Sequence, residues 1–474
     1  MAHIHIFHRS LRLVDNTSLI TQLREINDTI TPIFIFTPEQ INKKDNKYFS
    51  NASVQFMIES LHELSKEIKN KKGKLYFYYG ETLKVLKSIN KKVLIKSISL
   101  NEEYTPYGKQ RNDTIKNWCL ENNIICISKE DYALFNIIDK ESNKLDGTPY
   151  LVYTPFMHNI LKNLTVRPVD TFKSFKFKKL TTMEKIKYNI NEKEIDNFYT
   201  DNPNINVHGG RKLGLRILNN IDKFKDYLKS RDNFNYKTTF LGAYLKFNVL
   251  SIREVYHKIV EKLGKSSGLL KEILWREFYL TIYYNYPRML KGQIGGENKS
   301  FKIKYDSIKW SNNKEHIEAF VNGNTGFPIV DACVKDINER NYMHNRGRMI
   351  VASFLAKDLH LNFKWIENWF ATRLVDYDPI SNSGGVQWSV GNGTDAQPWF
   401  RIFNPWTQQL KFDKNCDFIK LKIPELNKVD PKDIHNWFKP EVRAKYPDIN
   451  YPKPIVEHDE ERLKTIQKYK EALQ

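Results

Sequence analysis

The chain has 474 residues, too many for one ordinary hydrophobic core, so two or three domains are expected. Hydrophobic residues make up 41%, which excludes wholesale disorder, and 75 Lys and Arg against 55 Asp and Glu leave a net charge of +20. That charge predicts attraction to a polyanion, nucleic acid before an anionic membrane surface, or else reflects the Asn/Lys bias of runs such as NKKDNK and NKKGK.

Cys119, Cys126, Cys333 and Cys416 form neither CxxC pairs nor a dense disulfide framework, which fits a reducing compartment. No run of about 18 apolar residues is present to span a membrane. MAHIHIFHRSLRLVDN enters strand-like sequence directly, without a signal-peptide h-region. An intracellular protein, cytoplasmic or nuclear, is expected.

Residues 1–130 alternate short β-rich runs with helical patterns. The strands are HIHIF (3–7), PIFIF (32–36), KLYFYY (74–79), VLIKSI (93–98) and NIICI (123–127), with helices near 50–69, 81–89 and 106–121. This rhythm predicts an α/β domain with a parallel, Rossmann-like sheet, which binds flat ligands at the carboxyl ends of its strands. No GxGxxG follows the first strand, so the usual dinucleotide fingerprint is absent. His3 and His5 share a strand face, with His8 close by. Ordinary strand and loop roles are expected of them in preference to a metal site. NEEYTPYGKQRND (101–113) either lines a pocket at the sheet edge or caps the next helix.

From 131 to 205 the periodicity fades and Lys and Asn dominate, so an interdomain linker is expected there. Residues 206–474 read as helical almost throughout. Leu270, Leu274, Phe278 and Ile282 form one apolar row, with Glu272, Trp275, Arg276 and Tyr279 beside it. A carboxylate one turn from an indole suits a nucleobase, which stacks on the ring and bonds to the acid; a solvated Glu beside an interfacial Trp is the commoner use. KTTFLGAYLKF (237–247) sets Thr238 and Thr239 at a turn able to hold a pyrophosphate, and GQIGGENKS (292–299) reads as a surface loop.

The densest polar content inside apolar helices falls between Thr325 and Asp413. On a helix around 343–360, Asn345, Met349 and Ala352 share a row with Arg348 adjacent. Asp376 and Asp378 then open a loop broken by Pro379, Gly384, Gly385, Gly391 and Gly393, which carries Asn382 and Trp388. Two carboxylates, an arginine and an amide suit the polar edge of an isoalloxazine ring, though an Arg–Asp pair is also a common structural element.

The blocks LWREFY, TGFPIVDA, YMHNRGRM, SFLAKDL, DYDPISNSGG, GTDAQPWFRIFNPWTQ and YPKPIVEH, with FHRSLRLVDN at the start, resemble the photolyase/cryptochrome family over essentially the whole chain. The resemblance implies an antenna-type α/β domain and a large all-α domain that holds FAD, active in its reduced form. A second antenna chromophore, of folate, deazaflavin or flavin type, is left open. Tyr227, Thr238, Thr239 and Leu241 match FAD phosphate-side contacts, and Arg348, Asp376, Asp378 and Asn382 match flavin-ring contacts. Glu272, Trp275, Asn345, Arg346, Met349 and Trp388 match a lesion pocket, and Arg231, Arg401 and Gln408 match DNA contacts. The implied activity is light-driven repair of cyclobutane pyrimidine dimers in DNA by a monomer; the alternatives are a cryptochrome-type photoreceptor and a DASH-type enzyme acting on single-stranded DNA. Asn345 and Met349 stand where six-four photolyases carry histidines, which opposes that activity.

One departure stands out. The family relays electrons to its flavin along three tryptophans. Here the distal one is Trp310, while the middle and proximal positions are Phe363 and Val386. The standard relay is therefore broken. Either a rerouted chain through Trp388, Trp365, Trp369, Trp399 or Tyr377 or cellular reductants are expected to replace it.

Overall fold

A computed structural model describes residues 1–474. Its N-terminal part is a sheet of six strands: β1 (Ala2–Phe7), β2 (Ile30–Phe36), β3 (Tyr76–Tyr79), β4 (Ile95–Asn101), β5 (Ile125–Lys129) and β6 (Asn189–Ile190). They lie in the order β5-β4-β1-β2-β3-β6, parallel except for β6. Every residue of β2 is buried, as expected of a strand covered by helices on both faces. Helices Asn51–Asn70, Thr82–Lys92 and Pro106–Glu121 follow the expected spans, while β4 and β5 begin two residues later than the apolar runs suggest.

His3 and His5 hydrogen-bond through Nδ1 with Ser97 and Ser99 of β4, at 2.8 and 2.7 Å. Thr105 caps the Pro106–Glu121 helix, its hydroxyl accepting from the Gly108 amide, and Glu103 pairs with Arg111 at 2.7 Å and Arg9 at 3.4 Å. The order reverses between β1 and β4, where open α/β sheets take their ligands. The crevice there, lined by His8, Arg9, Glu103 and Tyr132 among others, has a volume of only about 10 Å³, room for one water.

The segment 131–205 is more structured than its composition suggests. It contains a helix, Tyr153–Asn163, and β6, which runs antiparallel to β3. Ile30 exchanges backbone hydrogen bonds of 2.9 Å with Lys176 and Lys178. Two-residue pairings of this kind leave no periodic trace in a sequence. The segment thus wraps the far edge of the sheet.

From Arg211 to Leu473 every regular element is a helix. Leu270, Leu274, Phe278 and Ile282 are fully buried along the Gly268–Asn285 helix. No helix is long and apolar enough to cross a membrane.

The helical part is locked to the sheet by a buried ion quartet. Arg253 donates to Asp15 at 2.6 Å and Asp131 at 2.8 Å, and Arg12 donates to Asp131 at 2.8 Å; all four side chains are at most 2% exposed. Arg12, Asp15 and Asp131 come from the sheet part, Arg253 from the Ile252–Leu263 helix. Burial pushes the Asp131 carboxyl up, but Arg12 and Arg253 outweigh it and hold it well below the ordinary carboxylate range. Asp131→Ala leaves both guanidiniums short of their countercharge. It is expected to cost about 3–5 kcal/mol, read as a shift in the urea or thermal unfolding midpoint of the full chain.

Candidate functional site

A cavity of about 490 Å³ opens among the helices. Its walls include Tyr227, Thr238, Thr239, Leu241, Glu272, Trp275, Asn345, Arg348, Met349, Asp376, Asp378, Asn382 and Trp388. All the flavin and lesion residues expected from the sequence are therefore brought together, apart from Arg346. Arg231 also lines the cavity, and Arg346, Arg401 and Gln408 do not.

The Gly268–Asn285 helix, capped by Ser267, presents Glu272, Trp275, Arg276 and Tyr279 to the cavity. Burial raises the Glu272 carboxyl, and Arg231, which pairs with it, offsets this only in part. One face of Trp275 is covered by Tyr153, stacked at 3.9 Å with an interplanar angle of 6°. Tyr153 is itself fixed: its hydroxyl donates to the Lys271 carbonyl at 2.7 Å, and its amide to Asp395 at 3.0 Å. The indole is thus held flat, with stacking and packing on one side. Tyr153 lies in the segment read as a linker, where nothing in the local pattern marks it.

The Asn345–Lys357 helix is capped by His344, whose Nδ1 accepts from the Arg346 amide at 3.1 Å. Asn345 and Met349 lie one turn apart, with Nδ2 3.8 Å from Sδ. Arg348 is held at two nitrogens: its Nη2 donates to both oxygens of Asp376, at 2.9 and 3.1 Å, and its Nε to the Met343 carbonyl at 2.8 Å. Arg346 points elsewhere, to Asp232 at 2.7 Å and over the Phe412 ring at 4.4 Å. Arg401 is exposed and Gln408 half-buried.

Residues 379–390, expected as a glycine-broken loop, form a helix. Asp378 caps it, accepting from the Ser381 amide at 2.9 Å, and Pro379 occupies the first turn, where its missing N–H is not needed. Gly384 answers to packing, since a Cβ there would come within 2.7 Å of the Tyr279 ring. Gly385 faces the cavity, and nothing lies within 4 Å of where its Cβ would be. A flat ligand can therefore approach the backbone at Gly385. The helix ends at Gly391, with φ +101°.

Asp378 also accepts from the Tyr132 hydroxyl at 2.9 Å and from Arg9 at 3.3 Å. Burial pushes its carboxyl up, but Arg9, the Ser381 amide and Arg276 together hold it below the ordinary range. Asn382 donates through Nδ2 to the Glu367 carbonyl at 3.1 Å, leaving Oδ1 without a protein partner. Glu367 is buried, pushed up to about 7 by that burial against hydrogen bonds from Ser383, Asn298 and Gln387. Asn298 belongs to the stretch read as a surface loop, yet it is 7% exposed and supports the site from beneath. At the threonine turn, Thr239 accepts from the Leu241 amide at 3.4 Å. Phe240, also in the cavity wall, has φ +53°, a strained value for a residue with a Cβ. Arg9, Tyr132 and Lys246 were not foreseen in the cavity or its support.

Val386 lines the cavity, and Phe363 and Val386 are 1% and 3% exposed within an apolar core. Trp310 is half-buried at that core's edge. Of the alternatives, Trp365 has Phe320 at 6.2 Å, Trp399 stacks on Tyr469 at 6.2 Å, and Trp369 has Phe370, a wall residue, at 5.1 Å. Trp369 also carries the Arg373 guanidinium 4.8 Å over its ring, which disfavours a positive hole there. Tyr377 lines the cavity and stacks on half-buried Tyr48 at 6.3 Å and 19°.

Two family models match the chain: DNA photolyase over residues 3–174, and the FAD binding domain of DNA photolyase over residues 269–471. Deoxyribodipyrimidine photo-lyase of Buchnera aphidicola subsp. Acyrthosiphon pisum is 32% identical, with 98% of this chain and 96% of that one aligned. The enzyme of that name from Escherichia coli K12 is 29% identical over 99% and 98%. Among solved structures, an archaeal photolyase from Sulfolobus tokodaii with two FAD molecules is 34% identical, with a TM-score of 0.85, covering 99% of this chain and 100% of that one. A class III photolyase from Agrobacterium tumefaciens is 27% identical, with a TM-score of 0.88, covering 100% and 98%. A cavity framed by a capped arginine–carboxylate wall and a held indole, in a chain matched end to end by these proteins, places it in the DNA photolyase family.

Proposed function

We propose that this chain reverses cyclobutane pyrimidine dimers in DNA under light, with FAD and the dimer held in the same cavity. The observation that carries this reading is that one cavity holds both Trp275, Trp388, Asn345 and Met349 and the Arg348–Asp376, Asp378 and Asn382 set. Its donors and acceptors fit FAD: Asn382 Oδ1 is free, Gly385 leaves the backbone open, and Thr238 and Thr239 add hydroxyls. When bound, the reduced cofactor supplies the photoexcited electron that opens the cyclobutane ring and recovers it afterwards.

The residues do the rest. Trp275, braced by Tyr153, and Trp388 offer stacking surfaces to the two joined pyrimidines of a flipped-out dimer. Glu272, its carboxyl raised, sits where it can share a proton with a base edge, and Arg231 fixes its direction. Asn345 offers an amide to the same edge. Arg348 and Asp376 hold each other, so the guanidinium's remaining N–H donors and the carboxylate's remaining lone pairs keep a fixed direction without reorganisation when charge moves. We place Arg401 and Gln408 on the DNA path outside the cavity, and Arg346 there once it leaves Asp232. The three-part organisation, with residues 1–130 as antenna-type domain, 131–205 as linker and 206–474 as catalytic domain, is part of this reading. In the β1/β4 crevice, a second chromophore fits only if the Arg9–Glu103–Arg111 network moves.

Restoring the reduced cofactor is a separate matter, because Val386 and Phe363 break the usual route. Tyr377 on the cavity wall and half-buried Tyr48 beyond it form a two-ring path. With oxidised cofactor bound as the acceptor, one electron would pass from Tyr377 and be refilled from Tyr48, whose phenolic proton would go to solvent. An external thiol would then return a hydrogen atom to the Tyr48 radical, and two thiyl radicals so formed would pair as a disulfide.

The deciding test is illumination of dimer-containing oligonucleotide, double- and single-stranded, with the chemically reduced, FAD-loaded protein. Dimer reversal is expected, and none on either substrate would refute the reading. Trp275→Ala is expected to weaken binding of that oligonucleotide by about 1–3 kcal/mol in a filter-binding titration, while unchanged affinity would make the tryptophan structural. Blue-light reduction of the oxidised protein with thiol is expected to slow in Tyr48→Phe and Tyr377→Phe but not in Trp310→Phe. Loss of reduction in Trp310→Phe alone would sink the two-tyrosine path.

A further inference from the structure

Four cations line the cavity: Arg231, Lys246, Arg276 and Arg348. Three have carboxylate partners: Arg231 pairs with Glu272, Arg276 with Glu277 at 2.6 Å, and Arg348 with Asp376 at 2.9 Å. The third carboxylate of the wall, Asp378, is taken by Arg9. Lys246 is left over. Its ammonium donates to the Ser53 hydroxyl at 3.0 Å and lies 4.2 Å over the Phe247 ring, both neutral groups. Burial, with Arg9 adding repulsion, pushes this lysine down to about 7, while Asp378 and Asp376 pull the other way. A half-buried cation without a bonded anion is a charge that a ligand can complete.

We propose that Lys246 is the counter-cation of the anionic reduced flavin ring and raises the potential at which this chain keeps its cofactor reduced. The proposal rests on reading the cavity as the FAD site. FAD offers two anionic parts, its diphosphate and its reduced ring. Lys246 stands with the ring-side residues, its Nζ 5.8 Å from the Tyr377 ring and within electrostatic reach of the carboxylates on either side of that tyrosine. A cation placed there favours the charged reduced ring over the neutral oxidised one and leaves the diphosphate, present in both states, unweighted. The differential affinity converts directly to potential, a tenfold preference being about 30 mV for a two-electron couple. A raised potential eases reduction by external donors, which matters in a chain without the tryptophan relay.

The test is a spectroelectrochemical titration of the full FAD-loaded chain as wild type, Lys246→Met, Lys246→Gln and Lys246→Arg. Bound FAD is quantified after gel filtration. Met and Gln are expected to retain FAD while losing roughly tenfold in reduced-over-oxidised affinity, a fall of about 30 mV, and Arg to restore most of it. An unchanged potential in both neutral variants overturns the proposal. Equal loss of oxidised and reduced FAD also overturns it, because the lysine then serves the diphosphate. If wild type itself binds no FAD, the reading of the cavity fails instead, which the FAD quantification reveals before any potential is measured.

Discussion

The site depends on one buried electrostatic constraint, the insertion of Arg253 between Asp15 and Asp131. Ions this deep gain little net stability, because desolvation consumes most of what their attraction supplies. Their value is directional. Asp131 accepts from Arg12, Arg253, Thr17 and Asn248, so there is one arrangement of the sheet and the helices that satisfies all of them. The next residue is Tyr132, whose hydroxyl reaches Asp378. Arg9, also from the sheet part, reaches the same carboxylate. A cavity wall that belongs to the helical part is thereby oriented by the α/β part.

The same logic operates beneath the wall. The Pro379–Val390 helix has little intrinsic propensity, with glycines at 384 and 385, and its stability comes from its cap and from packing. Glu367 fastens it from the neighbouring helix, taking Ser383 and Gln387 by its carboxylate and Asn382 by its carbonyl. Asn382 is therefore aimed by a group that never enters the cavity, the kind of support that fixes a functional amide more firmly than its own rotamer preference.

These two arrangements explain what was legible in the sequence and what was not. Strands β1 to β5 and the row Leu270–Leu274–Phe278–Ile282 are local, periodic signals, and they appear where the periodicity puts them. The cavity's own polar residues were legible as costly groups in apolar surroundings and as matches to a known family. Gly384 and Gly385 misled because propensity speaks for a loop there, whereas Tyr279 packing demands a glycine at 384 within a helix; Gly391 does end it, as a glycine in a left-handed conformation should. Tyr153, Arg9, Tyr132, Asn298 and Lys246 escaped for a common reason. Each acts across a long sequence separation, and no periodicity records which residue a distant one will touch. The stacking of Tyr153 on Trp275 and the bond from Tyr132 to Asp378 show that the segment 131–205 takes part in the site, and no local pattern marks either.

The charge distribution separates two tasks that the net charge alone would merge. The surplus of +20 belongs to the chain as a whole, while the cavity walls are nearly balanced pair by pair. The exterior field attracts a polyanion at long range and weakens with salt, without regard to what the polyanion carries. The paired interior adds little to that attraction, and what it offers a ligand instead is a held indole and directed hydrogen bonds. A pocket crowded with free cations would hold any phosphate that entered. A wall balanced at every cation but Lys246 leaves one point at which a ligand's charge is weighed, and elsewhere it admits what can stack and meet its fixed donors and acceptors.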